Sequence, residues 1–200
     1  MEKDNREEIL KEIKEEVINF KKSPLFSVRV KNKVHPVIGE GSHYAKIMFI
    51  GEAPGKNESE TGRPFCGAAG KVLSEMLESI NLKREDVYIT NIVKDRPPNN
   101  RDPLPKEIEM YATFLDRQID AIKPEIIVTL GRFSMIYLMQ KFGLQKDLAS
   151  ISKIHGKVFE ANTNFGNVKI IPLYHPAAVL YQNGLKKDLV LDFKKIKNIL

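Results

Sequence analysis

Four short runs constrain this chain more than any other feature: KIMFIG at 46–51, VYITNIV at 87–93, EIIVTL at 125–130 and VKIIPLY at 168–174. Each is apolar almost throughout and rich in β-branched residues, the pattern of strands buried on both faces. Helical spacing occupies about 67–80 and 105–122 between them, and resumes at 132–142 after the third run. Alternation of this kind predicts an α/β fold built on a parallel sheet. Upstream, Ile9, Leu10, Ile13, Val17 and Ile18 share one helical face, so an N-terminal helix is expected over about 3–20, ended by Pro24. The stretch 24–45 reads as irregular or short β. The 200 residues contain no repeat and no Gly/Ser linker, and read as a single domain, 1–200, with enough chain to bury a core unaided.

Lys plus Arg number 32 against 26 for Asp plus Glu, a net charge of +6 that suits a polyanionic partner. The single cysteine, Cys66, excludes an internal disulfide and cannot build a thiolate metal site alone. No apolar run approaches membrane-spanning length, and the charged opening MEKDNREEILKEIKEE does not read as a signal peptide. The expectation is a cytoplasmic, nucleoid-associated monomer without a membrane partner.

In a parallel sheet the ligand site lies beyond the carboxyl ends of the strands. Four constellations fall there. Gly51-Glu52-Ala53-Pro54-Gly55 leaves the first strand in a tight turn whose N–H groups can face a ligand; the alternative is a plain strand exit with a solvated Glu52. Gly62 to Gly70 crowds small residues around Phe65, leaving its ring room for something flat, or making it a core anchor. Asn91 closes the second strand and offers a donor and an acceptor that match the N3–H and O4 edge of uracil; a capping role is the other option. The basic, proline-stiffened stretch after it holds Lys94, Arg96 and Arg101, which could grip phosphates. Last comes Tyr174-His175-Pro176-Ala177-Ala178, whose histidine can donate to a developing oxyanion or act in proton transfer. His35, His43 and His155 have no comparable setting.

The ordered set GEAPG, GRPFxGxAG, TNxVKxRPPxNRxP, a strand ending TLG, and HPAA resembles the family 4 uracil-DNA glycosylases from about residue 20 to the C-terminus. The resemblance implies a three-layer α/β/α sandwich around a four-stranded parallel sheet. It implies that Glu52 and Glu58 are acidic residues needed for activity, that Phe65 stacks on a flipped uracil, that Asn91 reads its edge, and that His175 contacts its O2. A sister family has a water-orienting Asp where this chain has Ala53, as family 4 allows. The family's four iron–sulfur cysteines are replaced by Phe20, Ser23, Asp95 and Tyr111, and the Glu58-Ser59 pair stands where Glu-Asp is common.

These readings give a monofunctional glycosylase that extrudes uracil from single- or double-stranded DNA and hydrolyses its glycosidic bond. Gly51, Ala53, Phe65 and Asn91 are expected to hold the base, with the wall near 53–57 excluding thymine. Glu52 or Glu58 would orient water, and His175 with nearby N–H groups would stabilise the leaving anion. Arg63, Lys94, Arg96 and Arg101 are expected on phosphates, and Val179, Leu180 or Tyr181 as a wedge. No metal or cofactor is expected: Phe20 and Tyr111 should pack where the cluster would sit, leaving Asp95 without partners for a cation. The alternatives are a glycosylase for hypoxanthine or xanthine, and a silent DNA-binding relative.

Overall fold

A computed structural model of the chain describes residues 4–182 and 184–200. The four apolar runs form β2 (Ile47–Gly51), β3 (Tyr88–Asn91), β4 (Ile126–Leu130) and β6 (Gly166–Leu173), all mutually parallel in the order β3-β2-β4-β6. The sheet is wider than expected. A two-residue strand, β1 (Glu40–Gly41), pairs antiparallel with β3, and β5 (Phe159–Thr163) pairs antiparallel with β6. The four-stranded parallel sheet is therefore the centre of a six-stranded mixed one. Both added strands lie at edges and are only partly buried, so they lack the apolar signature that marked the other four.

Period-two alternation divides the core between the two faces of the sheet. Met48, Ile50, Ile127 and Ile170 meet α1 (Arg6–Ile18) and α5 (Pro105–Ile122). Phe49, Ile89, Val128 and Ile171 meet α4 (Ala68–Ser79) and α9 (Gly184–Asn198). On α1 the buried positions are Leu10, Ile13 and Val17, one stripe at helical spacing, as expected. Lys3, the expected helix start, lies outside the described residues.

The stretch after Pro24 corrects the sequence reading. It opens α2 (Pro24–Asn32), with Ser23 as N-cap accepting from Leu25 N–H at 3.1 Å. Proline at the first helical position forgoes an N–H that would be unpaired anyway, so here it starts a helix rather than only ending one. The remaining helices are α3 (Lys56–Thr61), α6 (Arg132–Lys141), α7 (Ile151–Ile154) and α8 (Pro176–Tyr181). No helix among the described residues is long and apolar enough to cross a membrane.

Candidate active site

The carboxyl ends of β2, β3 and β6 open onto a cavity of about 440 Å³. Its walls include Glu52, Ala53, Glu58, Phe65, Asn91 and His175, so residues spread over more than half the sequence meet in one place. A larger cavity of about 1020 Å³ lies by α1 and α2, but none of the strand-end residues lines it.

Two glycines make the close approach possible. A Cβ on Gly51 would fall 2.3 Å from Asn91 Oδ1 and 2.6 Å from the Phe65 ring, and one on Gly70 would fall 1.7 Å from the Phe65 carbonyl. Phe65 itself sits at φ 48°, a left-handed conformation costly for a side chain without local hydrogen-bonding groups. Arg84 holds it there, donating to the carbonyls of Pro64 at 2.8 Å and Phe65 at 3.2 Å. Glu58 secures the same loop from the other side: its Oε1 accepts from the N–H groups of Cys66 at 2.9 Å and Gly67 at 3.0 Å.

Glu52 has a different environment. No hydrogen bond from the described residues acts on its carboxyl, and burial, helped by the nearby charge of Asp102 and opposed by Arg132, pushes its pKa up to about 7. Burial drives His175 the opposite way, down to about 4, against a pull from Glu58. His175 is therefore neutral at pH 7. As N-cap of α8 its Nδ1 accepts from Ala177 N–H at 3.1 Å, which leaves the ring proton on Nε2. The His175 and Phe65 rings lie 5.6 Å apart.

Asn91 is 2% exposed, and its Oδ1 is a buried acceptor with no partner among the described residues. Buried polar atoms are rarely left so. Asn91 lines the cavity, so a ligand bound there would lie beside its amide.

The basic residues divide. Arg63 is exposed but forms a two-bond pair with Glu40, Arg101 pairs with the Glu107 carboxylate at the cavity rim, and Arg96 donates to Asn100. Lys94 corrects the sequence reading: it is fully buried, its ammonium enclosed by Thr90, Asn91 and Gln118, and phosphate cannot reach it. Val179 is corrected too, since it packs into the core beneath α8. Leu180 is half exposed, and Tyr181 is 86% exposed at the cavity mouth. Tyr181, the last residue of α8, is the most exposed of the three residues that follow HPAA.

A family model for the uracil DNA glycosylase superfamily matches residues 38–196. The chain belongs to the uracil-DNA glycosylase superfamily. It is 49% identical over 189 residues to a type-4 uracil-DNA glycosylase of Archaeoglobus fulgidus, covering 94% of this chain and 92% of that one. Identity with a type-4 uracil-DNA glycosylase of Sulfurisphaera tokodaii is 50% over 191 residues, covering 95% of this chain and 84% of that one. With that of Thermotoga maritima it is 38% over 197 residues, covering 98% and 96%.

Within this superfamily member, the four positions matched to iron–sulfur ligands do not fit such a cluster. Fe–S clusters take thiolates, and here the ring of Phe20 meets Tyr111 at 5.4 Å and Phe114 at 4.9 Å, edge to face. Asp95 accepts instead from Arg29 Nη1 at 3.0 Å and from the Tyr111 hydroxyl at 2.6 Å. Arg29 also donates to the carbonyls of Val17 and Ile18 at the end of α1. Nothing in the sequence pointed to Arg29, which lies 66 residues from Asp95. No group of three or more His, Cys, Asp or Glu residues among the described residues could hold a metal ion.

Proposed function

We infer that this chain is a uracil-DNA glycosylase that hydrolyses the bond between uracil and deoxyribose in DNA, the first step of base excision repair. The observation that carries the reading is that Asn91, whose buried Oδ1 has no hydrogen-bond partner among the described residues, lines the cavity together with Phe65. Uracil brings an N3–H to that acceptor and an O4 to the amide's donors.

The base is extruded from the helix, at a cost of a few kcal/mol that stacking on Phe65 and pairing with Asn91 offset. As the C1′–N1 bond breaks, its electron pair moves onto the uracil ring and O2, and the sugar turns cationic. His175 stabilises that anion as a neutral donor through Nε2–H, which its N-cap bond favours. Water then bonds to C1′ and gives a proton to Glu52, whose pKa near 7 suits a general base at neutral pH. Glu58 is the better candidate for holding the Phe65 loop, since its Oε1 already serves two N–H groups. Ala53, Pro54 and Gly55 line the cavity and belong to the 53–57 wall proposed to exclude the thymine methyl. Tyr181 replaces Val179 as the wedge, with Leu180 beside it, and Arg63, Arg96 and Arg101 remain on the phosphate side. Residues 1–200 act as one domain, both terminal helices packing on the same sheet.

A panel of oligonucleotides, each with one uracil, hypoxanthine, xanthine or thymine, tests the assignment. Uracil release with at least about 10²-fold preference is expected, in line with a site that hydrogen-bonds its substrate. Preferred release of a purine would overturn it. Single-turnover rates for Asn91→Ala and His175→Ala should fall on the order of 10²–10³-fold, the usual cost of one oxyanion donor in the case of His175.

A further inference from the structure

The reaction leaves Lys94 unused, yet it is the largest charged side chain fully buried among the described residues, and no carboxylate of those residues is among its hydrogen-bond partners. Its three partners are all acceptors. Thr90 Oγ1, at 2.8 Å, spends its own proton on the Ile38 carbonyl at 2.7 Å. Gln118 Oε1, at 2.6 Å, is an acceptor because Nε2 of the same amide donates to Ile38 O and Tyr88 Oη. The third is the main-chain carbonyl of Asn91, at 2.7 Å. Burial drives the Lys94 pKa well below that of an ordinary lysine, while three acceptors that match the three protons of an ammonium favour the charged form.

The Asn91 carbonyl needs this partner for a topological reason. Ile92 N–H donates to Gly51 O, so by strand alternation the carbonyl of Asn91 points away from β2. On that side β1 pairs only with Tyr88 and Ile89, and stops short of Asn91. The last carbonyl of β3 would be unpaired in the interior, at the residue whose side chain faces the cavity. Lys94 closes that gap from three residues further along the chain, and its own carbonyl accepts from Val37 N–H at 2.8 Å.

We propose that Lys94 is a positioning residue for uracil recognition: its ammonium fixes the main chain of Asn91 and thereby the angle at which the Asn91 amide meets the base. The proposal rests on the recognition role given to Asn91 above. It accounts for a buried cation beside the site that touches neither DNA nor substrate, and gives Gln118 on α5 the task of holding the lysine.

The test is a double-mutant cycle in single-turnover uracil excision, with Lys94→Met, Asn91→Ala and the pair. Lys94→Met alone should lower the rate on the order of 10²-fold, as sub-ångström to ångström misplacement of a reading group does. In the Asn91→Ala background the same change should cost less than about 3-fold, because the group it positions is gone. Equal losses in both backgrounds would overturn the proposal and leave Lys94 a general structural role. Near-normal excision by Asn91→Ala alone would instead defeat the reading of Asn91. If Lys94→Met does not fold, Lys94→Arg, which keeps a charge and donors on a longer planar head, carries the same cycle with the same two outcomes.

Discussion

The Tyr111 hydroxyl donates to Asp95 at 2.6 Å, joining α5 to the segment that leaves β3, four residues after Asn91. Arg29 completes the latch from α2 and ties it to the end of α1. Four separate pieces of chain thus meet at the positions that a metal cluster would otherwise join.

This latch should matter for stability and need no iron. Removing one member of a buried pair strands the other, so Arg29→Met should destabilise the fold by about 3–5 kcal/mol. Tyr111→Phe, which removes one hydrogen bond to a carboxylate, should cost about 1.5–3 kcal/mol. Urea unfolding measures both. Anaerobically purified protein should be colourless, with no stoichiometric iron or sulfide, and chelator should leave its melting temperature unchanged.

The Glu52 carboxyl should govern the acid limb of the pH profile. As the general base proposed above, Glu52 would act as its carboxylate, so the excision rate should fall as pH drops through about 7. Asp102 raises that pKa and Arg132 lowers it. Asp102→Asn should therefore move the limb to lower pH and Arg132→Ala to higher pH, while Glu52→Gln should lose it altogether. Stability carries the opposite sign. The folded pKa lies above the ordinary carboxylate value of 4.5, so the unfolded chain ionises first and stability falls as pH rises from there to about 7. Glu52→Gln should be the more stable protein above that window. A limb unchanged in all three variants would remove Glu52 from the role of base.

Much of this was legible in the sequence, and unevenly so. The doubly buried strands announced themselves because burial on both faces forbids polar residues, and their carboxyl ends then located Glu52, Asn91 and His175. The edge strands were not legible, since β5 alternates with solvent and β1 is two residues long. Charge misled at Lys94, because a lysine in a basic, proline-rich stretch reads as a phosphate contact, and only the early end of β1 reveals the carbonyl it serves. Arg29 was invisible for a simpler reason: its partner is brought to it by the fold, not by spacing.

The Phe65 loop should be intolerant of change beneath the ring. Gly70→Ala would put a Cβ at 1.7 Å from the Phe65 carbonyl, a contact that only a backbone shift can relieve. Its expected signature is loss of excision with a folded protein, because the helix it opens otherwise tolerates alanine. Arg84→Ala removes two donors from a strained turn and should destabilise the protein by about 1–3 kcal/mol. Thermal melts together with excision rates for the two variants check both expectations.

Tyr181 offers the sharpest separation of binding from flipping. It is 86% exposed at the mouth of the cavity, an unusual place for a large aromatic side chain on a helix whose neighbour Val179 is buried. A wedge works by occupying the gap that an extruded base leaves, and so offsets the cost of unpairing and unstacking. In single-stranded DNA there is no partner to lose and little stacking to break. Tyr181→Ala should therefore lower kcat/KM on a duplex containing one uracil by about 10-fold or more, a small part of the few kcal/mol that extrusion costs. On the single strand of the same sequence the change should stay within about 2-fold. A uracil placed opposite guanine, where pairing is already weakened, should fall between the two. Equal losses on all three substrates would mean that Tyr181 serves general DNA contact, and the wedge would then have to be sought at Leu180.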